Sequence, residues 1–223
     1  MGYILRYIKI FIVEKHEKEM GKLYYPFKEN RKELEEIAKE IRDSGRRIVL
    51  AGGTFDAGQA HLIHIEFLRA CKELGDILFV NVTNHDRAVL RKKDKSSLLV
   101  PRPYYTEHVR ALYVSAIDAV DHATVYPYVG NPDNPEDVGP TTRLAAIIKP
   151  NVIVKGIQED GKGWGNQELI KIKRYLRYDP DLKEIHIEGD IDSTSLLEYQ
   201  ARTEEGLQEI GLFEDKRYLP QTV

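Results

Sequence analysis

Arg47-Ile48-Val49-Leu50-Ala51 runs into Gly52-Gly53-Thr54-Phe55-Asp56, and His61-Leu62-Ile63-His64 follows after four more residues. The first five form a short apolar run ending at glycines, the pattern of a buried strand. From Leu62 to Leu74 the spacing of Phe67, Cys71 and Leu74 predicts one face of a helix, which Gly75-Asp76 stops. A strand, a glycine-rich turn and a helix start leave unpaired backbone N–H groups at the positive end of a helix dipole. Such a turn is a place for a polyphosphate. His61 and His64, three apart on the first turn, point the same way. They would aim two imidazoles at charge developing on a transferring phosphoryl group. Taken alone, two nearby histidines on a helix are also common as plain surface residues.

Outward from this stretch, strand and helix patterns alternate. Ile77–Val82 reads as a strand, Thr106–Ala119 as a helix, and Val125 as part of a short strand. A helix over Thr142–Ile148, a strand at Val152–Val154, a helix over Glu168–Leu176, a strand at Ile185–Ile187 and a helix from Ser195 complete the series. Alternation of this kind implies crossover units and an α/β doubly wound parallel sheet covered on both faces. Its ligands bind beyond the carboxyl ends of the strands, where strand order reverses.

Before the core, residues 3–13 (YILRYIKIFIV) read as a strand, and Glu14–Asn30 as a broken pattern punctuated by Gly21 and Pro26. Asn30 and Glu33 then make a capping box for a helix carrying Leu34, Ile37, Ala38 and Ile41, ended by Gly45. The predicted organisation is an N-terminal strand and helix extension over 1–45, a core domain over 46–200 and a C-terminal tail over 201–223. Two long loops stand out: Tyr126–Pro140, with four prolines, and Ile157–Asn166, with three glycines around Trp164. Loops this long in a compact domain tend to be functional.

Hydrophobic residues make up 42% and charged residues 31% of the 223, with a formal net charge of −3. That balance fits a globular protein and gives no basic excess for a nucleic-acid partner. Cys71 is the only cysteine, so no disulfide framework or multi-cysteine metal site is expected. No apolar run approaches a membrane span, and Arg6, Lys9 and Glu14 interrupt the apolar start, so a cytoplasmic chain without membrane contact is expected.

The segment from Gly53 to His64 resembles the G-x-F-D-x-x-H-x-G-H signature of the cytidylyltransferase-like nucleotidyltransferase superfamily. Further matches follow in order over residues 47–198. They are Gly75-Asp76; Asn84-His85-Asp86, with Lys93 after it; Arg102-Pro103 and Arg110, with Val120-Asp121; Lys149–Gly156 (KPNVIVKG); and Asp192-Ser193-Thr194-Ser195. Within the superfamily the chain is most similar to the ADP-heptose synthase type of sugar-phosphate adenylyltransferase. The chain departs from the family pattern at four points. Ile63 stands where the family has glycine. Ala57-Gly58-Gln59-Ala60 replaces a two-residue spacer. Gln158 stands where the family often carries an acidic residue, and Asp94 where a glycine is usual.

The resemblance implies a Rossmann-like nucleotidyltransferase fold and transfer of a nucleoside monophosphate, AMP favoured, from a nucleoside triphosphate to a sugar- or polyol-phosphate. The magnesium ion would arrive with the triphosphate, with no protein-built metal site, and the enzyme would be a homodimer. By the same resemblance His61, His64, Lys93 and Arg110 would form the catalytic set, with Arg110 bracing the phosphate-side loops. Gly53, Thr54, Phe55, Asp56, Lys155, Gly156, Ser193, Thr194 and Ser195 would hold the nucleotide. Plainer readings stand beside these: Ser193–Ser195 as a helix cap, Arg91–Lys95 as a solvated charge run, Asp86 as a cap, and Trp164 as an apolar anchor. A cytidylyltransferase using CTP on a phospho-alcohol, or a non-catalytic nucleotide binder on the same scaffold, are the alternatives.

Overall fold

The computed structural model describes residues 22–24, 31–56, 62–92, 103, 105–131, 134, 136–158 and 163–187. For Lys22–Tyr24, Leu62, Ile63, Arg91, Lys92, Gln158 and Ile187 it describes the backbone alone.

The apolar run at Arg47 becomes strand β2 (Ile48–Gly53), preceded by β1 (Lys22–Tyr24) and helix α1 (Arg31–Asp43). After it come α2 (Leu62–Lys72), β3 (Ile77–Val82), α3 (His85–Lys92), α4 (Glu107–Ser115) and β4 (His122–Thr124). The described chain closes with α5 (Pro140–Ile148), β5 (Val152–Gln158), α6 (Asn166–Leu176) and β6 (Asp181–Ile187). The sheet has the order β1-β4-β3-β2-β5-β6, and every pairing is parallel. From β2 the chain winds outward through β3 to β4, then returns to place β5 on the other side of β2. The expected α/β doubly wound sheet is therefore present, with its reversal between β2 and β5.

Strand β2 is buried on both faces because its alternating side chains enter two separate apolar layers. Val49 and Ala51 join Phe67, Leu68, Cys71, Leu78 and Val80 beneath α2 and α4. Ile48 and Leu50 join Leu34, Ile41, Phe79, Leu144, Ile148 and Ile172 beneath α1, α5 and α6. Leu50 has no exposed surface, and burial of a side chain of this size contributes roughly 1.5–3 kcal/mol.

The amino ends of the central strands are fixed by side-chain acceptors. The first free N–H groups go to carboxylate or amide oxygens: Arg47 to Asp76 at 2.6 Å, Ile48 to Asn151 at 2.8 Å, and Leu78 to Asp121 at 2.7 Å. A Cβ on Gly75 would stand 2.8 Å from the Arg47 carbonyl, so the Gly-Asp pair is a strand clamp as well as a helix stop.

Several boundaries differ from the sequence reading. Residues 3–13 lie outside the described residues; the edge strand that is described is Lys22–Tyr24, inside the stretch read as broken. It is short and held by β4, so its own pattern carries little signal. The helix expected to reach Ala119 ends at Ser115, and the strand expected around Val125 is His122–Thr124. Strand β5 runs on to Gln158 because β6, starting at Asp181, pairs along its whole length. Pro140 opens α5 rather than ending a loop, as its missing N–H allows at a first helical position. Everything from residue 188 on, including the helix expected from Ser195 and the 201–223 tail, lies outside the described residues.

Candidate functional site

At the carboxyl end of β2 the chain turns sharply through Gly53-Thr54-Phe55-Asp56. Phe55 adopts a left-handed conformation, with φ of 50°, which a bulky residue takes only where its surroundings hold it. Its ring folds back on Gly53, where a Cβ would meet it at 3.0 Å. The same ring meets half-buried His64 edge-on, with centroids 5.2 Å apart. Phe55 thus couples the glycine turn to the first turn of α2. Asp56 is buried just after it.

Arg110 holds this turn from below. The side chain is fully buried, and its guanidinium donates to the carbonyls of Thr54, Thr83 (2.8 Å) and Tyr105 (3.0 Å). Burial pulls its pKa below the ordinary arginine value, and the charges of Asp56 and Glu107 offset part of that. With its guanidinium committed to backbone carbonyls away from solvent, Arg110 positions the ends of β2 and β3 here. A place in the catalytic set that touches substrate does not fit this geometry.

Between the carboxyl end of β2 and the first half of β5 lies a cleft of about 370 Å³. Gly52 and Gly53 form part of its floor, Lys155 and Trp164 one wall, and Arg87, Asp137 and the first turn of α5 the other. Lys155, midway along β5, donates to Glu168 at 3.2 Å and to the Gly163 carbonyl at 3.3 Å. Gly156 follows it on the strand, paired with Ile185. Trp164 packs on the second apolar layer while also lining the cleft, so it is an anchor whose ring still reaches the site. His61, Lys93, Ser193, Thr194 and Ser195 lie outside the described residues. So does the Ile63 side chain, although its backbone is in α2.

The sequence reading missed the wall formed by α3 and α5. Asn84, rather than Asp86, caps α3, its Oδ1 accepting from the Arg87 N–H at 2.9 Å. Arg87 reaches back from α3 to bond Asp137 at 2.5 Å and the Val129 carbonyl at 2.7 Å. Asp137 also accepts from the Tyr128 hydroxyl at 2.7 Å, with Arg143 3.7 Å away. Burial pushes the Asp137 carboxyl up, but the bonds from Arg87 and Tyr128 and the charges of Arg87 and Arg143 outweigh this and hold it below its usual value. The Arg143 guanidinium lies 3.6 Å above the Tyr128 ring, so Arg87, Tyr128, Asp137 and Arg143 form one connected cluster. The prolines had marked this loop as unusual, but nothing local revealed its partner on α3.

An all-parallel doubly wound sheet with a polar cleft at its strand reversal defines a Rossmann-like α/β protein. No family model matches the chain. The bifunctional protein HldE of a Nitratiruptor species is 32% identical over 169 residues, covering 74% of this chain and 32% of the relative. The protein of the same name from Wolinella succinogenes is 32% identical over 149 residues, 67% of this chain and 28% of the relative. These similarities support the resemblance to the cytidylyltransferase-like nucleotidyltransferase superfamily and its ADP-heptose synthase type. It spans about a third of the length of these curated relatives. A crystal structure of the lipopolysaccharide core biosynthesis protein from Thermoplasma volcanium is 24% identical, covers 66% of this chain and 100% of that one, and has a TM-score of 0.45. Among the described residues no helix is long and apolar enough to cross a membrane.

Proposed function

We propose that this chain transfers a nucleoside monophosphate, AMP by preference, from a nucleoside triphosphate to a sugar- or polyol-phosphate. The observation that carries the reading is the cleft at the β2–β5 reversal, floored by Gly52 and Gly53 and flanked by Lys155. The Thr141 hydroxyl and the Phe55 ring stand where side chains on Gly52 and Gly53 would be, so glycine lets the cleft's own walls close onto the turn. An oxygen of the acceptor phosphate attacks the α-phosphorus, the bond to the α–β bridging oxygen breaks, and pyrophosphate leaves with that electron pair. The attacking oxygen is already an anion, so placement and charge neutralisation carry the catalysis.

In this reading His64, steadied by Phe55, and His61 donate to the α-phosphate as charge builds. Thr54, Phe55 and Asp56 shape the turn around the triphosphate, and Lys155 and Gly156 line the nucleotide side. Lys93 and the Ser193-Thr194-Ser195 segment belong to the same proposal as phosphate ligands. Among the described residues no group of three or more His, Cys, Asp or Glu gathers to hold a metal, and in the cleft Asp137 and Glu168 are paired with Arg87 and Lys155. Magnesium in this reading is held by the triphosphate's own oxygens and supplies charge neutralisation there. A homodimer is part of the same proposal, and sedimentation that finds only monomer at micromolar concentration removes it.

The test is pyrophosphate release with magnesium, using each of the four ribonucleoside triphosphates against a panel of sugar and polyol phosphates. Release that needs both ATP and one phosphorylated acceptor supports the reading. Dependence on CTP with a phospho-alcohol replaces AMP by CMP, and nucleotide binding with no release across the panel overturns transfer.

A further inference from the structure

Three features of the cleft wall that the nucleotide-side residues leave unused converge on the start of α5. The first is Thr141. Its Oγ1 lies so close over Gly52 that a Cβ there would stand 2.2 Å away. It accepts a hydrogen bond from Nδ2 of buried Asn81 at 3.1 Å. The Asn81 amide is fixed in that orientation, because its Oδ1 takes the Tyr126 N–H at 3.1 Å. The Thr141 hydroxyl is therefore an acceptor on its buried side, and no described residue takes its proton. Its donor faces the cleft that Thr141 lines.

The second feature is the helix end itself. Gly139 caps α5 without a side-chain hydrogen bond and Pro140 has no N–H. The N–H groups of Thr141 and Thr142, both cleft-lining residues, are the first-turn donors that remain. The third is Arg87, only 6% exposed. Its Nη2 lies 3.8 Å from where a Cβ on Gly139 would stand, and its Nε has no hydrogen-bond partner among the described residues. A buried cation against the positive end of a helix is a like-sign pairing. Asp137 answers one charge, but Arg87 and Arg143 share it. The cluster keeps one positive charge in excess.

We propose that Arg87, the Thr141 hydroxyl and the first turn of α5 form an anion subsite that holds a phosphate group of the acceptor, and so select phosphorylated acceptors over neutral ones. Its assignment to the acceptor rests on the nucleotidyl-transfer reading. The topology supports that assignment: α2, whose first turn carries His64, packs on one face of the sheet and α5 on the other. The two helix starts thus address the crevice from opposite sides, one for the triphosphate and one for its partner.

The experiment is calorimetric titration of the full chain with inorganic phosphate, alone and with a saturating non-hydrolysable ATP analogue. The expected result is a phosphate site that persists under the analogue. Thr141→Val should weaken it about tenfold, the effect of one lost hydrogen bond to a charged group, while Thr141→Ser stays within about twofold. Arg87→Gln should weaken it further. In turnover, Thr141→Val should raise the acceptor KM and leave the triphosphate KM unchanged. The inference is overturned if folded Thr141→Val binds phosphate as the wild type does, or if the analogue abolishes phosphate binding. Absence of turnover on every acceptor, with these phosphate affinities still falling in the variants, would instead remove the transfer reading and leave the subsite. If no nucleotide binds, the titration with phosphate alone decides between the same outcomes.

Discussion

Nη2 of Arg110 donates to the carbonyl oxygen of Thr83 at 2.8 Å, from a side chain with no exposed surface. The same guanidinium bonds Thr54, so one side chain on α4 ties the ends of two neighbouring strands. Replacing it by methionine leaves three carbonyls without their donor. At about 1 kcal/mol or more for each unsatisfied group, Arg110→Met should cost about 3 kcal/mol in urea unfolding. Arg110→Lys should recover little of this, because an ammonium lacks the planar fork that reaches all three.

His64 is half-buried and meets the rest of the turn through the Phe55 ring. If it stabilises the transition state, His64→Ala should lower kcat by about 10²–10³, the usual effect of losing one such donor. Its unfolding free energy should change by only about 1 kcal/mol, as for most single substitutions of half-buried residues. Equal turnover in variant and wild type would show that the imidazole takes no part in the chemistry.

The Asp137 carboxyl is depressed below its usual value in the folded protein. A group shifted this way stabilises the fold above its unfolded pKa of about 3.9, and the contribution is lost as pH falls through the lower, folded value. The stability gap between wild type and Asp137→Asn should therefore be constant near neutral pH. It should narrow only below about pH 4, as measured by chemical denaturation at a series of pH values. A gap unchanged down to about pH 2 would mean that the carboxylate's charge is not what orders the loop.

Cys71 has no exposed surface, and burial pushes its thiol up to about 12. The thiolate is the reactive form, so a disulfide reagent at about pH 8 should modify native Cys71 at the rate of opening of the fold. In urea the same thiol should react at once. Rapid labelling without denaturant would contradict the packing beneath α2.

How much of this was legible depended on whether the cause was local. Arg47–Ala51 announced a buried strand because a run of apolar, β-branched positions ending at glycines has few other uses, and the Phe67–Cys71–Leu74 spacing announced α2. Strand β5 was read too short: Lys155-Gly156-Ile157-Gln158 lacks apolar alternation and is extended because β6 pairs with it. Lys22–Tyr24 was missed for the same reason. In the site, the glycine turn and Lys155 were visible from their motif. Arg87 was not, since its partner Asp137 lies 50 positions away in sequence, and a lone arginine on a polar helix looks like any other surface charge.

The clamps at the amino ends of β2 and β3 have a consequence for how such a protein changes over time. Asp76, Asn151 and Asp121 secure the register of the sheet on the side opposite the cleft. Segments at the carboxyl ends, such as Tyr126–Gly139, can then lengthen or be exchanged without unzipping the strands beneath them. The scaffold holds its shape at one end and stays open to invention at the other, so a new ligand preference asks for a rewritten loop rather than a new fold.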